Sequence, residues 1–179
     1  MTTTLDLGCG THPRNPFDAA HVFGVDIRPL GGNIRAANLS LDAIPYEADS
    51  FDFVTAHDFI EHVPRVLCIF DPAAQRNETI FPFVRLMSEV WRVLKPGGRF
   101  YSRTPAFPHA AAFQDPTHVN IITEETFPLY FNDHYPVANI YGFVGGFKTV
   151  EQRWDGAHLC TTLTKGDQPD LSRFGCNAL

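Results

Sequence analysis

An α/β fold is predicted by three features of the chain. Continuous apolar stretches of strand length recur at Thr3 to Leu7, His21 to Val25, Phe51 to Ala56 and Arg99 to Thr104. Each is bounded by turn residues, the mark of parallel strands buried on both faces. A helical period runs from Phe81 to Leu94, with Phe81, Val84, Leu86, Met87, Val90, Trp91 and Leu94 on one broad face. Two β-rich runs, Phe147 to Trp154 and Ala157 to Thr164, flank Asp155-Gly156, a dipeptide that favours a hairpin turn. The order is β/α alternation closed by an antiparallel hairpin. A chain of 179 residues suits a single domain spanning 1–179, since about 100 to 200 residues is the usual range.

The elements follow in order. The first strand ends in Leu5-Asp6-Leu7-Gly8-Cys9-Gly10, where glycines let the backbone turn tightly and approach a ligand. The second ends in Phe23-Gly24-Val25-Asp26, and a carboxylate at that strand tip can accept both hydroxyl protons of a ribose. His12 and Pro13 stand where a dinucleotide fingerprint would carry its third glycine. Only fifteen residues separate Gly10 from Asp26, Pro13 and Pro16 among them, so the first crossover helix is short or absent. The segment Pro64 to Ile80 reads as a long solvated loop, a lid or a partner surface. Lys95-Pro96-Gly97-Gly98 stops the helix, and the tail over 165–179 is expected to be loosely held.

Composition removes several classes of function. A net charge of −6 without a Lys/Arg run argues against a sequence-independent nucleic-acid binder. No apolar run is long enough to cross a bilayer, and Met1-Thr2-Thr3-Thr4 enters a core strand directly, which predicts a soluble, cytoplasmic protein. Cys9, Cys68, Cys160 and Cys176 form no C-x-x-C pair and are expected as reduced thiols.

On Leu5 to Gly10, Val25-Asp26-Ile27, Ile44-Pro45-Tyr46, Asp49 to Val54, Phe59-Ile60-Glu61-His62-Val63 and Glu89 to Gly98, the chain resembles the class I S-adenosylmethionine-dependent methyltransferases, in particular the small-molecule group called type 11. The resemblance covers most of the chain. It implies a Rossmann-like, mostly parallel seven-stranded sheet with an antiparallel C-terminal hairpin and helices on both faces. A nicotinamide dehydrogenase shares the glycine logic but does not explain Phe59 to Val63 or Trp91 to Gly98.

Carried over by position, the resemblance sets the cofactor's methionine part against Asp6, Gly8, Cys9 and Gly10 and its ribose on Asp26 and Ile27. Asn38, Leu39 and Ser40 flank the adenine, where the Asn38 carbonyl oxygen replaces the aspartate of many relatives. His57, Asp58 and Phe59 line the other side, with a helix N-cap as the competing role for Asp58. The acceptor pocket is expected from Pro105 to Tyr135, with His62, Phe107, Phe113, Gln114, Asp115 and Asn120 as substrate contacts. His57, His62, His109 and His118 are expected to converge there. His118, then His109, is the candidate base for a hydroxyl acceptor. Asp58-x-x-Glu61-His62 with His118 is also similar to the Glu-x-x-Glu-His plus distant His arrangement of metal-dependent ubiquinone-pathway O-methyltransferases and small-RNA 2'-O-methyltransferases. That likeness implies a divalent metal site. The expected reaction is in-line methyl transfer to an oxygen or nitrogen of a small molecule such as a sugar. The alternative is a non-catalytic S-adenosylmethionine-binding subunit of a biosynthetic complex. Phe127 to Tyr141 reads equally as a homodimer contact or a pocket wall.

Overall fold

The structure, a computed structural model, describes residues 1–170. Strands β1 (Thr3–Leu7), β2 (His21–Asp26), β3 (Ile34–Ala36), β4 (Phe51–His57), β7 (Leu94–Pro105), β9 (His158–Lys165) and β8 (Phe147–Asp155) form one sheet in the order β3-β2-β1-β4-β7-β9-β8. Every pairing up to β4–β7 is parallel, and β9 is inserted antiparallel to both of its neighbours. This is the Rossmann-like sheet with an antiparallel C-terminal hairpin. The central strands β1 and β4 read as apolar runs because the sheet is covered on both faces there.

One face carries the core. Leu5, Leu7, Val25, Val54, Ala56 and Phe100 pack beneath the long helix α1 (Pro82–Val93), which buries Phe83, Leu86, Met87, Val90 and Val93. Pro82 at the first helical position suits the start, because its missing N–H would have no helical partner. Helix α3 (Thr126–Tyr130) joins the same layer, with Phe127 edge-on to both Phe83 and Phe100. The short helix α2 (Ala111–Gln114) lies in the connection between β7 and α3.

The other face is covered differently. No helix forms between β1 and β2, in agreement with the short first crossover, and irregular chain supplies the cover. Phe17 stacks on Phe53 at 4.3 Å between ring centroids and meets Tyr101 edge-on. The Arg14 guanidinium donates to the His57 carbonyl. Helical cover, expected on both faces from the fold class, is here an aromatic strap.

Two motifs prove to be clamps. Glu89 accepts the Ile44 N–H, while Arg92 donates to the carbonyls of Ile44 and Tyr46 and pairs with Glu89 at 2.7 Å. Burial alone would push the Glu89 carboxyl up, but its bonds to Arg92 leave it below the usual range. Lys165 is equally fixed, since its ammonium reaches Asp49, the Leu94 carbonyl and the Trp91 ring. Trp91 Nε1 donates to the Gly166 carbonyl. The tail expected to be loose from Lys165 onward thus begins tied to α1. Residues 171–179 of that tail, with Cys176, lie outside the described residues, among which Cys9, Cys68 and Cys160 are free thiols.

The segment Pro64 to Ile80 departs from the expected loop. It forms an antiparallel hairpin of β5 (Leu67–Asp71) and β6 (Arg76–Ile80), a separate two-stranded sheet closed by a turn in which Gln75 is left-handed. Leu67 and Ile69 are half-buried while Cys68 and Phe70 are exposed, which is strand alternation.

Asp52 pins β1 to β4. Its Oδ2 accepts the Thr3 N–H and hydroxyl and pairs with Lys95 at 2.8 Å, which holds the carboxyl down at about 2. A depressed carboxyl contributes stability that is present above its unfolded value and is lost as pH falls through the folded one. Asp52→Ala is expected to lower unfolding stability by about 1 kcal/mol at pH 7 in denaturant titrations. The difference from wild type should shrink between pH 4 and about 2.

Candidate functional site

The parallel strands end along one edge, and there the turn after β1 lies between the tips of β2 and β4. Gly8 is left-handed, at φ +65°, and a Cβ built on it would stand 2.2 Å from the Phe59 ring. Only glycine fits beneath that ring. Asp6 is fully buried and does not reach the edge. Its Oδ1 accepts the Thr55 hydroxyl and its Oδ2 the Arg14 N–H, both at 2.8 Å. Burial raises its carboxyl pKa despite these bonds. It positions the turn and the strap behind it.

A cleft of about 340 Å³ opens at this edge. Gly8, Asp26, Ile27, Asn38, Leu39, Ser40, Asp58 and Phe59, all expected as cofactor contacts, line it together with His62. Asp6, Cys9, Gly10 and His57, expected beside them, do not. The Cys9 thiol turns back to the Gly10 carbonyl, and burial raises it to about 11, which removes thiolate chemistry. Gly10 acts through its backbone, donating its N–H to Asp26 Oδ2. His57 projects to the opposite face beside Tyr101, and burial lowers its pKa to about 4.

Asp26 already has partners. Arg28 gives it a backbone N–H and Nε at 2.8 Å, and this contact first, then the Gly10 amide, holds the carboxyl below its usual range. A carboxylate has about four acceptor positions, so a diol arriving there competes with the exposed Arg28 side chain. Asn38 Oδ1 accepts the Ser40 N–H and closes its own turn. The adenine amide bond expected of that oxygen is left a single lone pair.

Asp58 is neither an N-cap nor part of a carboxylate–imidazole quartet. The 3₁₀ turn Ile60–His62 has Phe59 at its cap and no side-chain cap bond. Asp58 is left-handed, at φ +49°, and its carboxylate turns to Arg103 and His158. The three remaining members of the expected metal set do meet. One ligand atom each from Glu61, His62 and His118 lie within 4.8 Å of one another, and the two imidazoles stack edge-on at 4.9 Å. Glu61 is 1% exposed. Its Oε2 accepts the Thr104 hydroxyl, its Oε1 has no partner, and burial raises its pKa. His118 Nδ1 is likewise buried and unpartnered. Thr117 oxygens hold His62 Nδ1, which orients the ring as an outer-shell partner orients a metal-binding imidazole.

The other expected acceptor contacts scatter. His109 is exposed and stands against Trp154, 4.9 Å between rings, so the four histidines do not converge as expected. Phe107 and Phe113 are more than half exposed and Gln114 is exposed. Asp115 binds Thr117, whose hydroxyl and N–H hold its carboxyl below the usual range. Asn120 is buried, with its amide spent on the Ile60 carbonyl and on Arg65. A second cleft of about 530 Å³ runs past Asn120 between α1 and α3, walled by Phe81, Leu129, Tyr130 and Tyr141. Leu129, Tyr130, Phe131, Ala138 and Tyr141 of the Phe127 to Tyr141 stretch line this second cleft. Sequence reasoning missed Arg103 and His158, which only the strand order brings beside Asp58.

The comparisons agree with this architecture. Residues 5–102 match the family described as a methyltransferase domain, more than half of the chain, and the chain belongs to that family. Its cofactor is S-adenosylmethionine. A search of curated proteins found no match. Among solved structures, a complex from Haloferax volcanii between the Trm112 methyltransferase activator and a methyltransferase aligns with TM-score 0.59 at 14% identity, over 92% of this chain and 82% of the other. PH0226 protein from Pyrococcus horikoshii OT3 aligns with TM-score 0.56 at 19% identity, over 92% and 82%. A S-adenosylmethionine-dependent methyltransferase from Archaeoglobus fulgidus aligns with TM-score 0.55 at 14% identity, over 92% and 86%. At these identities the likeness establishes the fold alone. No helix among the described residues is long and apolar enough to cross a membrane.

The two glycines of the turn separate sterics from backbone strain. A Cβ built on Gly10, at φ +58°, would stand 3.7 Å from its nearest neighbour, Arg28 Nη2, an ordinary contact, so Gly10→Ala is expected to cost only the left-handed backbone, about 1 kcal/mol. Gly8→Ala adds a collision with Phe59 and is expected to cost about 3 kcal/mol in urea unfolding, of the size that overpacking reaches.

Proposed function

We propose that this protein transfers a methyl group from S-adenosylmethionine to an oxygen or nitrogen of a small molecule, with a sugar or similar metabolite hydroxyl as the preferred acceptor. The observation that carries the reading is the position of His62. It lines the 340 Å³ cleft and also belongs to the Glu61–His62–His118 cluster, so proton-handling groups stand at the rim of the cofactor's cleft. In this reading Gly8, Asp26, Asn38, Leu39, Ser40, Asp58 and Phe59 hold the cofactor, with Asp6, Cys9 and Gly10 shaping the turn from behind.

The methyl donor is already activated, so the protein acts by alignment. Holding nucleophile, carbon and sulfur collinear can supply on the order of 7 to 11 kcal/mol. A hydroxyl acceptor must also lose its proton, and His118, with an unpartnered Nδ1, is the base this cluster offers. His109, against Trp154 and outside the cluster, leaves the role to His118.

A second reading is favoured by the orphaned Glu61 Oε1 beside the orphaned His118 Nδ1. One carboxylate and two imidazoles suit a first-row divalent cation, and both buried atoms would gain the partner they lack. Glu61, His62 and His118 would hold the ion, and Asp58 would not. Bound there, such an ion supplies Lewis acidity toward an acceptor oxygen. The alternative is a non-catalytic S-adenosylmethionine-binding subunit of a biosynthetic complex, and turnover by the isolated chain would exclude it.

His118→Ala is expected to lower turnover of a labelled methyl donor with a metabolite extract by about 10² to 10⁴-fold, while S-adenosylhomocysteine affinity measured by calorimetry stays within about threefold of wild type. Equal loss of both contradicts the assignment. For the cation, Mn²⁺ is expected to raise the wild-type melting temperature. Glu61→Gln should abolish the rise. A Mn²⁺ response unchanged in Glu61→Gln contradicts the cation reading.

A further inference from the structure

Asp58, Arg103 and His158 close a ring of polar side chains at the edge of the sheet, with Asp155 attached to it through Arg103, and the family motifs account for none of the three besides Asp58. Asp58 lines the cofactor cleft from the tip of β4, Arg103 lies opposite His57 on β7, and His158 and Asp155 face each other across the terminal hairpin. Arg103 Nη1 lies 3.3 and 3.4 Å from the two Asp58 oxygens, and its Nε is 3.3 Å from Asp155 Oδ2. Arg103 Nη2 is 3.2 Å from His158 Nδ1, and His158 Nε2 is 3.1 Å from Asp58 Oδ1.

The chemistry of the donors gives every bond a direction. A guanidinium has only donors, so His158 Nδ1 must accept from Arg103. The ring proton therefore sits on Nε2 and is donated to Asp58. A backbone bond from the Asp58 N–H to the Arg103 carbonyl at 2.9 Å completes the fixation of a residue whose φ of +49° is uncommon outside glycine. With a neutral imidazole, two carboxylates face one guanidinium. One negative charge is left over between two partly exposed carboxylates, and Asp58, which lines the cleft while Asp155 does not, is the one that carries it there.

We propose that Arg103 and His158 are positioning residues that hold the Asp58 carboxylate as a fixed anionic wall of the cleft, complementary to the α-ammonium group of S-adenosylmethionine. The C-terminal hairpin thereby sets cofactor affinity through His158, although it supplies no residue to the cleft. The inference rests on the cofactor reading above.

Calorimetry with S-adenosylhomocysteine, which keeps the ammonium group, tests it. His158→Ala is expected to weaken binding about tenfold, and His158→Gln, whose amide can still accept from Arg103 and donate to Asp58, to stay within about threefold of wild type. Asp58→Asn is expected to weaken binding about tenfold, and the His158→Ala/Asp58→Asn double variant to lose no more than Asp58→Asn alone. Wild-type affinity in His158→Ala, failure of His158→Gln to recover it, or multiplied losses in the double variant would overturn the proposal. A ligand-independent readout covers variants that fold poorly. In long-range ¹H–¹⁵N spectra of the wild type, His158 is expected as the Nε2–H tautomer, and an Nδ1–H tautomer would overturn the ring. No heat with the wild type would overturn the cofactor reading, and with it the link to affinity, whereas the tautomer still judges the ring itself.

Discussion

A single buried carboxylate holds the working edge of this domain together. Asp6 sits at the end of the central strand, takes the Thr55 hydroxyl from β4 and takes the Arg14 N–H from the strap that replaces the first crossover helix. Where a helix between β1 and β2 would brace the glycine turn, here one side chain ties the turn's return path to the sheet. Burial costs the carboxylate, as its raised pKa shows, and each hydrogen bond offsets part of that cost. With the strap fixed, Phe17 stacks on Phe53, Gly10 reaches Asp26 and Gly8 fits under Phe59.

Much of the fold was legible because it is written in short-range patterns. Four buried strands, helix α1 and the terminal hairpin each carry their period and their stop signals within a dozen residues. The hairpin β5–β6 was not legible. Its turn runs through Pro72 to Gln75 without a glycine, and β6 is exposed along most of its length, so alternation against a core gave no signal. Strand β3, three residues with two exposed, is too short to show a period. The Glu89 and Arg92 positions were visible as a motif, while their task of clamping Ile44 and Tyr46 across more than forty residues was not.

The site shows the same division. Gly8, Asp26 and Ile27 at the strand tips, and Asn38 to Ser40, were placed at the cleft because chain position fixes them against the sheet edge, whereas Cys9 and Gly10 turn away from it. The chemistry beyond the cofactor cleft depends on long-range meetings. His118 reaches Glu61 because the Val119 and Asn120 amides both donate to the Glu61 carbonyl, a contact no spacing rule encodes. His158 reaches Asp58 only because β9 is inserted beside β7. Spacing had put Asp58, Glu61 and His62 on one helical face, and a 3₁₀ turn that begins two residues later, together with a left-handed backbone, sends Asp58 elsewhere. The Glu61–His62–His118 cluster and the Asp58–Arg103–His158 group are thus sorted into two separate places.

The central claim is that the cleft beneath Phe59, and not the larger aromatic cleft between α1 and α3, receives the methyl donor. Backbone amide spectra of the ¹⁵N-labelled protein titrated with S-adenosylhomocysteine test it most directly. The account predicts saturable shifts concentrated at Gly8, Asp26, Ser40 and Phe59. Shifts centred on Phe81, Tyr130 and Tyr141, or none at saturating ligand, would contradict it.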